Sequence, residues 1–215
     1  MPLLAYCTLE NVPNISIPGS GVQGQPILAV QHSGLQCLLS QFKTAASARN
    51  EAVRDSALAF NRFLQSVFEQ TAIIPFRFPT LVNEQPEIVA YLRQHESELS
   101  AALKNFRGMA QMEISAQMEG APRPSSHQSG KAYLRSRQSQ LAMMEKFLSE
   151  LRQVLSPFAN EWRIRESADR VRCYVLVRRD AVEDFSQRAK TIELPPQIRA
   201  RITGPWPVSE FVSET

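Results

Sequence analysis

Gly19-Ser20-Gly21-Val22-Gln23-Gly24 carries the glycine spacing with which a nucleotide-binding turn lets backbone amides approach a pyrophosphate. That chemistry needs a strand before the glycines and a helix opening after them. Here Pro18 precedes the run, and Pro26 with an apolar strand pattern follows it, so the glycines punctuate a loop. His32, His95 and His127 fall on a turn, a helix and a Ser/Pro-rich loop, none with a second histidine or cysteine at ligand spacing. Cys7, Cys37 and Cys173 are far apart, odd in number and without a neighbouring histidine. That pattern argues against a disulfide framework, a zinc site and an activated thiolate. No Gly-x-Ser-x-Gly elbow and no Walker-type phosphate loop occurs. The pairs Glu96 with Glu98 and Glu183 with Asp184 read as solvated helix charges rather than as acid/base partners. No catalytic residue, cofactor or metal is expected.

Charge offers a second kind of chemistry. The 215-residue chain has a formal net charge of +3, and the excess is uneven. Seven basic residues face eight acidic ones up to residue 104, and seventeen face thirteen beyond it. Arg163, Arg165, Arg170, Arg172, Arg178 and Arg179 crowd one expected hairpin, which permits an acidic partner. A nucleic-acid module would add an aromatic-rich central strand. Val171 to Val177 holds one aromatic, Tyr174, so no nucleic acid is expected. Lys131, Arg135 and Arg137 open a helix, where basic charge opposes the helix dipole.

The elements that position these residues follow from periodicity. With 43% hydrophobic residues the chain can bury a sizeable core. Leu3 to Leu9 reads as a strand, Asn11 to Pro26 as an exposed loop, and Ile27 to Val30 with Leu35 to Phe42 as a hairpin. Val53, Ala57, Phe60, Leu64 and Val67 make an amphipathic stripe on a helix from Ala48 to about Gln70. Ile73 to Phe78 is again a strand, and Pro86 to Lys104 one helix with Ile88, Leu92, Leu99 and Leu103 on one side.

The second half runs strand, helix, strand, strand, helix, strand. Its segments are Phe106 to Met118, Ser129 to Leu155, Glu161 to Glu166, Val171 to Arg178, Ala181 to Lys190 and Arg199 to Ile202. Gly120 to Gly130 is a loop, and Leu134, Leu141, Met144, Leu148, Leu151 and Leu155 form the apolar stripe of the long helix. The expected class is α+β in two domains. Residues 1–104 form a small antiparallel sheet with two helices, and residues 105–215 a ferredoxin-like βαββαβ domain with an extended tail. Thr203-Gly204-Pro205-Trp206-Pro207 is expected to end the last strand and to hold Trp206 rigidly, because two prolines remove ladder donors.

Three stretches carry a resemblance: Ile73-Ile74-Pro75-Phe76-Arg77-Phe78-Pro79-Thr80, Gly130-Lys131-Ala132-Tyr133-Leu134-Arg135-Ser136-Arg137, and Thr203 to Pro207. In this order and spacing they resemble the gas vesicle protein L/F family (GvpL/GvpF). The chain departs from the family pattern at Pro79-Thr80, where Gly-Thr is usual, and at Val208-Ser209-Glu210-Phe211, where Pro-Tyr-Ser-Phe is usual. It is identified as a divergent member. The resemblance implies a non-enzymatic accessory or minor structural protein that binds the hydrophobic shell subunit and other accessory proteins of gas vesicles. Candidate partner-binding residues are Arg77, Phe78, Met109, Met112, Tyr133, Arg135, Trp206 and Phe211. The alternative is a ferredoxin-like binding module for RNA or a small ligand. Met1 to Tyr6 lacks a basic n-region and no apolar run approaches about 18 residues. A cytoplasmic, vesicle-associated protein with no membrane contact is therefore expected.

Overall fold

The computed structural model describes residues 1–42, 50–119, 130–167 and 170–212. The expected start of the first helix at Ala48, most of the loop from Gly120 with His127, and the hairpin tip at residues 168–169 lie outside them. Contacts divide the chain into two compact units, Met1–Met109 together with the residues from Trp206 onward, and Ala110–Pro205. The sequence reading cuts at 104/105 and assigns the tail to the second domain, whereas the contacts group the tail with the first unit.

In the first unit, β1 (Leu3–Glu10), β2 (Ile27–His32), β3 (Leu35–Gln41) and β4 (Ile73–Val82) form a sheet in the order β2-β3-β1-β4. The pairs β1 with β3, β1 with β4, and β2 with β3 are antiparallel. β1 is buried along nearly its whole length, because helices flank the sheet on both faces. On one face Leu3, Ala5, Cys37 and Leu39 pack against Ile88, Leu92, Leu99 and Leu103 of α2 (Gln85–Gln94) and α3 (Glu96–Asn105). On the other, Tyr6 stacks on Phe60 and Phe63 of α1 (Asn50–Phe68), with ring centroids 5.1 and 4.3 Å away. Three described helices therefore replace the expected two. His95 alone leaves helical dihedrals (φ −109°, ψ 15°). The apolar stripe continues through this break, so periodicity did not reveal it.

Tyr6 also explains why the Asn11–Pro26 segment is less loose than expected. It occupies a bulge in β1, where the register slips between Ala5 and Cys7. Its phenol oxygen accepts the Val22 N–H at 2.7 Å and lies 2.8 Å from the Ser40 hydroxyl. Val22 is fully buried as a result. Gly21 passes against the Tyr6 hydroxyl so closely that a β-carbon there would overlap it. Removing the hydroxyl in Tyr6→Phe strands a buried amide, and stability is expected to drop by about 2 kcal/mol in urea denaturation. Limited proteolysis between Asn11 and Pro26 should accelerate in parallel.

The second unit runs β5 (Met109–Met118), α4 (Gly130–Leu155), β6 (Ala159–Glu166), β7 (Arg170–Arg178), α5 (Val182–Lys190) and β8 (Ile198–Trp206). Its strands lie in the order β6-β7-β5-β8, compatible with the expected ferredoxin-like arrangement. Alternate residues Met112, Ile114, Ala116 and Met118 of β5 and Val171, Cys173, Val175 and Val177 of β7 form one face. They pack beneath Met144, Phe147, Leu151 and Leu155 of α4 and Phe185 of α5. Leu134 and Leu141, expected in the same stripe, are 61% and 50% exposed. A 26-residue helix reaches about 39 Å, beyond strands of about 30 Å, so its first turns overhang the sheet.

The proline-rich exit differs from expectation. β8 continues through Gly204, Pro205 and Trp206. It is an edge strand, where a missing outward N–H costs no ladder bond. Pro75 and Pro79 are accommodated likewise on edge strand β4, where the pairing with β1 jumps from Thr80 to Pro75 around the Tyr6 bulge.

Candidate interaction surfaces

The eight candidate residues are not brought together. Arg77 is exposed on β4, while Phe78 beside it is half-buried against Phe42 and Phe60, at 6.2 and 5.2 Å between ring centroids. Arg135 is exposed on the overhanging part of α4, and the Tyr133 side chain lies outside the described residues. Trp206 is 40% exposed at the end of β8. Met109, Met112 and Phe211 are buried. Met112 faces the helices from an inner strand, and Phe211 follows Pro207 and Val208 into burial within the first unit. Their flexible or aromatic side chains serve the cores of the units, and spacing alone could not separate that role from docking.

The thiols are inert by environment. Burial pushes Cys37 up to about 12 and Cys173 up to about 11, and it raises Cys7 well above the usual thiol range. The unfolded chain loses these protons near pH 9, whereas the folded chain keeps them. Between about pH 9 and 11 the folded state binds more protons, so stability falls as pH rises. The expected result is an alkaline loss of stability that a Cys7→Ala/Cys37→Ala/Cys173→Ala variant flattens. Among the described residues no three His, Cys, Asp or Glu side chains are grouped to hold a metal ion.

Among the concavities formed by described residues of the second unit, two lie on opposite faces of its sheet. A cleft of about 630 Å³ between α5, residues 192–194 and β8 is floored by Met112, Ile114 and Phe147 and rimmed by Glu183, Lys190 and Arg201. The opposite sheet face carries a shallower one of about 540 Å³, lined by Glu113, Ser115, Gln117, Arg170, Arg172, Arg199 and Arg201. Alternation along β5, β7 and β8 sets these polar residues opposite core-facing Met112, Ile114, Ala116, Val171, Cys173, Ile198 and Ala200. Sequence reading noticed the hairpin arginines, while the contribution of β8 depended on strand order, which no local pattern encodes. No described helix is long and apolar enough to cross a membrane.

Paired four-stranded sheets with this succession of elements define the fold seen in solved gas vesicle proteins. GvpF from Anabaena sp. PCC7120 superposes with a TM-score of 0.80 at 16% identity, covering 100% of this chain and 97% of its own. GvpF from Microcystis aeruginosa gives 0.75 at 15% identity, with 99% of each chain covered. No curated protein matches the sequence. The model of the gas vesicle synthesis protein GvpL/GvpF family matches residues 2–213. The chain belongs to that family, and membership supports a gas-vesicle-related role.

Proposed function

We propose that this protein is a non-catalytic accessory or minor structural component of gas vesicle formation. It binds the small hydrophobic shell subunit during nucleation or assembly, from the cytoplasm and in association with the vesicle. Other vesicle accessory proteins are its further partners, and neither nucleic acid nor a membrane is required. Family membership across residues 2–213 is the observation that carries this reading.

Physical features of the chain support it. A protein that meets apolar, strand-forming subunits needs sheet edges able to accept a further strand. Edge strand β4 exposes Arg77 and, at 39%, Leu81, while Pro75 and Pro79 withhold donors, so contact there runs through side chains more than through added ladder bonds. Trp206 lies at the end of edge strand β8, and Leu134, Arg135 and Leu141 are exposed along α4. The purified chain is expected to retain the shell subunit in a pull-down, and deletion of its gene should reduce vesicles in a vesicle-forming host. Unchanged vesicles together with no co-purification would remove this reading.

A further inference from the structure

Residues 191–197 return the chain from the end of α5 to edge strand β8 and leave the cleft of about 630 Å³ between helix and strand. It reaches down to the core: Met112, Ile114, Phe147 and Leu151, which floor it, are each at most 3% exposed. Half-buried Ile192, Ala200 and Ile202 wall it, and Leu194, 48% exposed, forms its lip. An apolar concavity of about 300–1,000 Å³ with a few polar groups at its mouth has the form of a small-molecule site. Three ionisable side chains line this one, Glu183, Lys190 and Arg201. Glu183 is already engaged, accepting a hydrogen bond from the Gln187 side-chain amide at 3.0 Å. Lys190 and Arg201 form no ion pair among the described residues. The neighbouring carboxylates of Asp184 and Glu193 are exposed and do not belong to the lining.

We infer that this cleft binds a free single-chain amphiphile with an anionic head, of the class of a medium-chain carboxylate. This site goes beyond the accessory role above and does not rest on it. The alkyl chain lies over the floor of Ile114 and Phe147, where its burial removes apolar surface from water. The carboxylate receives the Lys190 ammonium and the Arg201 guanidinium, both of which make stronger hydrogen bonds to an anion than to a neutral acceptor. Glu183 does not oppose this placement. It precedes Lys190 by seven residues on α5, about 10 Å along the axis, which is one screening length at about 0.1 M salt. A cationic head would meet two like charges, and a neutral one would leave both cations without an anion.

The test is an amide NMR titration of the full, isotope-labelled chain with decanoate, decanol and decyltrimethylammonium. Decanoate is expected to shift the signals of residues 186–194 and 200–204 and to bind with a Kd below about 1 mM. The other two probes should bind at least about fivefold more weakly. Ser186→Phe, which fills the cleft from α5, should weaken decanoate by about tenfold or more, and Lys190→Gln by about threefold or more. Arg188→Gln, on the same helix but outside the lining, should leave binding within about twofold. If Ser186→Phe does not fold, Leu194→Asp at the exposed lip is read in its place, with the same loss expected. Equal binding of decanol or decyltrimethylammonium, a decanoate Kd above about 1 mM, shifts scattered beyond the cleft, or indifference to the folded cleft variants would overturn the inference. Co-sedimentation of the chain with phosphatidylglycerol vesicles, lost in the cleft variant, would overturn it as well, because the occupant would then be a bilayer lipid.

Discussion

Phe147→Ala is expected to cost about 3–5 kcal/mol, while Leu141→Ala, two turns earlier on the same helix, should cost less than about 0.5 kcal/mol. The contrast follows from position along α4. Phe147 is 1% exposed among Ile114, Val175 and Leu151, so truncation leaves a cavity that rigid strands cannot collapse. Leu141 is 50% exposed and lines an open hollow with Met118, Met144 and Val171 at the strand ends. Urea denaturation followed through Trp162, in a Trp206→Phe background, isolates the second unit, since these are the two tryptophans of the chain. Similar losses for both variants would mean that the first turns of α4 are packed as firmly as the last.

Gly204→Ala should destabilise the second unit by about 3 kcal/mol, out of proportion to the single methyl added. Gly204 adopts φ +124°, a conformation that side chains rarely occupy. A β-carbon there would also stand 2.9 Å from the Gln111 carbonyl oxygen and 2.8 Å from the Met112 sulfur. The methionine can swing aside, but the carbonyl belongs to inner strand β5 and cannot. Gly34→Ala is the matched control, because nothing lies within 4 Å of its added carbon and its φ is not left-handed. Thermal unfolding of the two variants should therefore separate clearly, and coincident curves would show that β8 shifts to absorb the strain.

Much of this architecture was legible because periodicity changes between 2 and 3.6 residues along the chain. Ile88, Leu92, Leu99 and Leu103 are buried as read, as are Phe60, Leu64 and Val67, whereas Val53 at the start of that first stripe is 47% exposed and Ala57 only half-buried. Failures arose where local rules meet long-range placement. Prolines near Trp206 suggested the end of a strand, yet an edge strand has one side that needs no donors. Leu134 and Leu141 continue the heptad spacing, yet both are exposed. Met109, Met112 and Phe211 have the composition of adaptable contact residues, but inner-strand position and the fold-back of the tail bury them. Of the candidate site, the arginine hairpin was visible, and its assembly with Arg199 and Arg201 awaited the knowledge that β8 flanks β5.

Both sheets place their earliest strand second from an edge, where its neighbours come from later in the chain: β1 waits for β3 and β4, and β5 for β7 and β8. The stretch from β8 through Val208 and Phe211 then completes two things at once, giving β5 its outer neighbour and contributing buried side chains to the first unit. Neither sheet is therefore closed until its later strands have paired, and the earliest strand of each keeps unsaturated backbone groups until the chain returns to it.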